Sequence, residues 1–164
     1  MDDFKSIEIL VNENKELVIF SKTKSNENDN PVKYVVSNHK YELKNSYNVV
    51  ELSQKIECAF DDWCKYDAYS NKKVTYEENY YQVNGFKNAI KGKMLIYMGW
   101  NDIEGKYISL LLPCKRGYTY LGVKELKLPD NATWIDFANG VIELLNLDLS
   151  KEPAFKTFKS KFNL

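Results

Sequence analysis

The chain is short of the residues from which many functional sites are built. In 164 residues it holds one histidine, three cysteines, four prolines and seven glycines, and its 23 Lys and Arg balance 23 Asp and Glu. Zero formal net charge excludes a broadly polycationic nucleic-acid binder driven by counterion release, though not a local basic patch. Cys58, Cys64 and Cys114 are odd in number and lack CxxC spacing, so neither a disulfide framework nor a zinc ribbon is indicated. No apolar run approaches the ~20 residues that span a bilayer, and MDDFKSIEIL lacks the basic and apolar regions of a signal peptide. The expectation is a cytoplasmic protein with no membrane association.

Catalytic grammar is equally sparse. There is no P-loop, GxGxxG, HExxH or GxSxG. A Ser-His-Asp or Cys-His site would have to use His39, which sits among polar neighbours in SNHKYEL and reads as a solvated loop or strand residue. Cys58 and Cys64 border an apolar helical stripe and read as buried structural thiols. Asp61-Asp62 and Glu77-Glu78 are carboxylate neighbours in sequence, but adjacent helical residues point about 100° apart and would not share one proton or metal. The expectation is a protein that is not an enzyme and needs no cofactor or metal.

Aromatic residues, by contrast, are plentiful: 12 Tyr, 8 Phe and 3 Trp. With 44% apolar and 28% charged residues, the composition is that of one folded domain, residues 1–164, burying roughly 70% of its unfolded surface. Few glycines and prolines with many aromatics favour a sheet-rich fold.

Alternation around Ile7, Ile9 and Val11, the turn Asn12–Lys15 and the run Leu17–Phe20 predict a hairpin. Polar Ser21–Asn30 reads as a loop, followed by the strand-like pieces VKYVV and HKYEL. Val49, Leu52, Ile56, Ala59, Phe60 and Trp63 recur at helical steps, predicting a helix capped by Asn48 and ending near Lys65–Tyr69. Beyond a Tyr-rich segment come FKNAIKG, MLIYMGW, the turn NDIEG, KYISLLLP and a glycine-flanked aromatic stretch, Gly117–Gly122. Gly105 supplies the positive φ that closes the NDIEG turn. A second amphipathic helix follows Pro129-Asp130-Asn131, with Trp134, Phe137, Ala138, Val141, Ile142 and Leu145 as its stripe. Gly140 inside it costs about 1 kcal/mol relative to Ala and points to close packing there. Phe155, Phe158 and Phe162 repeat at three and four, suggesting a short helical turn in the tail. Each half reads as four strands and a helix, so the fold class is α+β: a duplicated β-β-β-β-α plan, with antiparallel sheets packed against two main amphipathic helices.

Charge is unevenly distributed. Asn48–Tyr69 carries five acids against two lysines, and Asp130–Asp148 carries four acids and no base. Asn84–Leu128 carries seven lysines and Arg116 against three acids. Such segments are commonly solvated faces. They also fit an acidic surface for a basic partner, or a basic aromatic sheet for single-stranded nucleic acid.

From Tyr81 to Leu145 the sequence resembles the immunity proteins of bacterial contact-dependent growth inhibition systems. Gly85-Phe86-Lys87 with Lys91 and Lys93 matches the lead-in to a central strand, Pro113 a strand end, Gly117–Gly122 the glycine-flanked aromatic strand, and Leu128-Pro129 with Ala132 and Phe137 the entry to a closing helix. VVELSQKIECAF is similar to the family's repeated helix pattern. The resemblance implies a cytoplasmic antitoxin that binds the cognate C-terminal toxin domain of a large surface-exported effector, with metal-dependent DNA nucleases among the family's partners. It also implies a fold similar to the Whirly single-strand DNA-binding proteins. One family mode of binding adds a toxin β-hairpin to the immunity protein's sheet, which an open edge permits. A basic toxin would meet carboxylates, so the candidate contacts are Asp61, Asp62, Asp67, Glu77 and Glu78, with Tyr118 and Tyr120 near a sheet edge. The alternative is a Whirly-like single-strand binder using Lys87, Lys91, Lys93, Tyr97, Trp100, Lys106, Tyr107 and Lys115.

Overall fold

Strands β1 (Lys5–Val11) and β2 (Leu17–Lys24) form the expected hairpin. Asn12 Oδ1 closes its turn, accepting from the backbone N–H of Asn14 and Glu16 at 2.9 Å, while Lys15 takes φ 59°. β2 continues through Lys24 into the segment that reads as loop, and VKYVV and HKYEL run together into one strand, β3 (Tyr34–Leu43). A register shift against β2 between Phe20 and Lys22 lets that long strand follow its partner. Among its described residues the first half therefore has three strands. The computed structural model describes residues 4–25, 33–69, 73–113 and 120–152, so the phenylalanine repeat of the tail lies outside the described residues.

Helix α1 (Val49–Asp61) starts where the pattern places it, with Asn48 Oδ1 accepting from Glu51 N at 2.9 Å. It stops earlier than Lys65–Tyr69, because Asp62 is its C-cap and Cys64 takes φ 59°, a left-handed conformation that ends a right-handed helix. Trp63 consequently leaves the apolar stripe and packs on Tyr34, with ring centroids 4.8 Å apart. Two short helices follow, α2 (Tyr76–Tyr81) and α3 (Phe86–Ile90), and then strands β4 (Met94–Asn101), β5 (Gly105–Pro113) and β6 (Tyr120–Leu128). FKNAI is thus helical. α4 (Trp134–Leu145) is capped by Thr133, and Gly105 takes φ 72° in the β4–β5 turn as its position requires.

All six strands belong to one antiparallel sheet in the order β3-β2-β1-β4-β5-β6. The β1–β4 pair is its centre, where two β-β-β-α units meet: β1, β2, β3 and α1 on one side and β4, β5, β6 and α4 on the other. The fold class is α+β as expected, with three described strands per unit and a single sheet. α1 and α4 pack on one another and on the face carrying Ile7, Ile9, Leu17, Ile19, Ile96, Met98, Ile108 and Leu110. Phe60 and Phe137 join the helices with rings 5.7 Å apart. Each such fully buried side chain contributes about 1.5–3 kcal/mol relative to exposure. An added Cβ at Gly140 would press on Ile108 Cδ1, the close packing that a glycine inside a helix suggests.

The opposite face explains why Leu17–Phe20 is continuously apolar. Leu17 and Ile19 point toward the long helices, while Val18 and Phe20 join Leu10, Val36 and Leu95 under Tyr76, Tyr80 and Tyr81. α2 therefore covers the back of the sheet.

Candidate functional site

The expected acidic contacts divide between the two sides of the sheet. Asp61 and Asp67 are exposed, whereas Asp62 is buried and serves the fold. Its carboxylate accepts from the Tyr41 hydroxyl and lies 3.5 Å from His39 Nε2 and 3.7 Å from Lys65 Nζ. Burial first, then the bond to Asp62, pushes the Tyr41 hydroxyl well above its ordinary pKa. His39 lies on β3, half-buried, with its ring stacked 4.1 Å from that of Tyr66. Cys58 and Cys64 are exposed, because α1 turns the first outward and the second lies past its end. Both therefore depart from the buried thiols that their neighbours suggest.

Asp67 belongs to a segment that runs along the outer edge of β3. Asn38 N donates to Asp67 O, Tyr69 N donates to Val36 O, both at 3.0 Å, and Ser37 pairs with Ala68. That part of the β3 edge is closed. β6 is the other edge, and among the described residues no strand pairs with its outer side. Tyr120 opens β6 opposite Pro113 and packs edge-on to Phe86, and burial raises its hydroxyl pKa. Tyr118 lies outside the described residues.

Glu77 and Glu78 sit on α2, behind the sheet. Glu78 is the return arm of a capping box: its carboxylate accepts from Thr75 N at 3.0 Å and Gly85 N at 2.7 Å. Those bonds, Thr75 first, hold its pKa below the usual glutamate value. Glu77 is 3% exposed, and burial, aided by the nearby Glu8 carboxylate, raises its pKa. It lines a cleft of about 520 Å³ with Glu8, Lys22, Tyr34, Tyr69 and Tyr76. Within it Glu8 pairs with Lys22 Nζ at 2.6 Å and accepts from the Tyr76 hydroxyl at 2.6 Å. The sequence sign of this polar cluster is the charge at Glu8, between Ile7 and Ile9, where strand alternation leaves one residue facing away from the helices. The five carboxylates are therefore not one patch.

The residues of the nucleic-acid alternative are also dispersed. Tyr97 and Tyr107 stack 6.1 Å apart on the back of the sheet, with Lys22 and Lys127 over their outer faces. Trp100 and Lys106 face the other way, as their pairing two positions beyond Met98 requires. Lys106 Nζ donates to the carbonyls of Asp130 at 2.7 Å and Ala132 at 2.8 Å. Lys93 lies over the Tyr81 ring, Lys87 and Lys91 are exposed, and Lys115 lies outside the described residues. No single groove gathers them. Among the described residues, no helix is long and apolar enough to cross a membrane, and no group of three or more His, Cys, Asp or Glu is placed to hold a metal ion.

Neither a protein-family model nor a curated protein matches the chain. Among solved structures, it is similar to a protein of unknown function from Neisseria meningitidis, at 8% identity and TM-score 0.56 over 85% of this chain and 92% of that one. It is likewise similar to a chain of the CdiA-CT/CdiI toxin and immunity complex from Yersinia pseudotuberculosis, at 8% identity and TM-score 0.55. That match covers 87% of this chain and 96% of the other, so the likeness is one of whole fold.

Proposed function

We propose that this chain is an immunity protein: it binds the cognate C-terminal toxin domain of a contact-dependent growth inhibition effector in the cytoplasm and blocks it. The observation that carries the reading is the whole-length fold likeness to a chain of a toxin and immunity complex. The sequence resemblance from Tyr81 to Leu145 points the same way. The protein acts by occupying its partner, not by catalysis, and uses no cofactor. The toxin domain is of the nuclease class, whose nucleic-acid-binding side is basic and is attracted by carboxylates such as Asp61 and Asp67. The outer side of β6, with which no described strand pairs, offers backbone N–H and C=O groups to a strand of that partner.

The test is growth of cells producing the toxin domain encoded immediately upstream. Co-production of this protein restores growth, and protection does not extend to toxin domains of unrelated sequence, since discrimination needs mismatched contacts as well as matched ones. Protection against several unrelated toxins, or against none, contradicts the reading. The single-strand-binding alternative gains no support from Tyr97 and Tyr107 facing one side of the sheet while Trp100 and Lys106 face the other.

A further inference from the structure

The end of the molecule where the β4–β5 turn meets the start of α4 concentrates unused apolar surface. Ile103 at the turn is 83% exposed, Trp100 38% and Ile135 39%. Single exposed apolar residues are ordinary, but Trp100 lines a depression, Ile103 stands on the adjoining turn, and Ile135 follows the lining residue Trp134. Here Trp100, Lys106, Ala132, Thr133, Trp134 and Phe137 enclose a cleft of about 350 Å³.

The turn does not need the side chain of Ile103. Asn101 Oδ1 accepts from the backbone N–H of Ile103 and Glu104, and Gly105 supplies the positive φ. Nor is the cleft floppy. Lys106 anchors the loop before α4 through two carbonyls and lies 5.1 Å from the Trp100 ring centroid, while Thr133 and Asp136 form the capping box of α4. Trp134 is fixed from behind by Phe60, with rings 5.2 Å apart. Two tryptophans thus flank a preformed cleft on a rigid frame, the arrangement in which a buried anchor contributes most to binding.

Charge selects the occupant. Asp102 and Glu104 are exposed on the β4–β5 turn, and Asp130 and Asp136 are exposed before and in the first turn of α4, the two elements that border the cleft. The facing bases are Lys106, already held by carbonyls, and Lys5, opposite Trp100 on β1. Four carboxylates against two amines around an apolar centre suit a cationic protein segment bearing one bulky apolar side chain.

We infer that this cleft is the anchoring site for the toxin domain: an apolar side chain of the toxin enters between Trp100 and Trp134, and flanking Lys or Arg residues face Asp102, Glu104, Asp130 and Asp136. The inference rests on the immunity reading and adds the place and chemistry of the contact. It differs from pairing along β6, which uses backbone groups alone.

The experiment measures association and dissociation rates of the purified full-length protein with its toxin domain. Trp100→Ala weakens binding about 30-fold or more, chiefly through faster dissociation. Ile103→Asn, at a site the fold does not use, weakens it about tenfold, and Asp102→Asn/Glu104→Gln slows association about three- to tenfold at low salt and little at high salt. Val83→Asn, at an exposed position just past α2, leaves both rates unchanged. Wild-type rates in Ile103→Asn and in the Asp102/Glu104 variant overturn the inference while leaving the immunity reading intact. Absence of binding by the wild-type protein overturns both. A homodimer in sedimentation that Ile103→Asn dissociates assigns the surface to self-association and also overturns it.

Discussion

The Tyr76 hydroxyl donates to the Glu8 carboxylate at 2.6 Å, joining a helix to a strand 68 residues earlier in the chain. Lys22 reaches the same carboxylate from β2, so one half-buried group ties α2 to two strands. Burial drives the Tyr76 pKa well above its ordinary value, with the Glu8 charge adding to it.

Tyr76→Phe keeps the ring against Phe20, 5.1 Å away, and removes the hydroxyl that bonds Glu8 and also interacts with Glu77. It should lower unfolding stability by about 1.5–3 kcal/mol, as for a hydrogen bond to a charged acceptor, with an unchanged m-value in urea. An unaltered midpoint would mean that Lys22 alone satisfies Glu8.

Asp61 and Asp62 should behave differently despite adjacency. Asp62→Asn disturbs the Tyr41, His39 and Lys65 contacts and should cost about 1–3 kcal/mol of stability. Asp61→Asn, at an exposed position, should leave the thermal midpoint in place. Thermal melts of both variants decide this, and equal destabilisation would contradict it.

Glu77 makes the protein pH-sensitive in a defined direction. Its folded pKa lies above the ordinary 4.5, so the folded state holds this proton more tightly than the unfolded chain. The contribution is fully present below pH 4.5 and is lost as pH rises through the folded value. Glu77→Gln should therefore flatten the stability profile above pH 4.5, measured as urea midpoints across pH. A steeper loss with rising pH in the variant would contradict this sign.

At Gly99 an added Cβ would overlap the Tyr107 ring, which Tyr97 and Lys127 hold in place. Gly99→Ala should cost about 1–3 kcal/mol in the wild type and much less when introduced into Tyr107→Ala. Additive losses in the double variant would place the strain elsewhere.

The long elements are legible because their periodicity is carried by many residues. Val49 to Phe60 and Trp134 to Leu145 repeat at helical steps, and Asn48 and Gly105 perform the local tasks their chemistry fits. The short elements are less so. α2 has six residues, too few for a stripe, and its sign is the Thr75-x-x-Glu78 capping box. FKNAI has five residues, and an apolar Phe-x-x-Ala-Ile spacing suits a strand or a helical turn. The single sheet and its β1–β4 centre come from long-range pairing that no local pattern encodes. For the same reason five carboxylates near one another in composition divide between two sides of the sheet. The cleft beside Trp100 and Trp134 depends on a meeting of residues more than thirty positions apart, held together by Lys106.

The most direct measurement of the central claim is calorimetric titration of the purified protein with the toxin domain encoded immediately upstream. The expected result is a one-to-one complex with Kd of roughly 10⁻⁷–10⁻¹⁰ M, the range of natural antibody–antigen complexes, and loss of toxin activity at the same stoichiometric point. No heat of binding together with undiminished toxin activity at excess protein would contradict it.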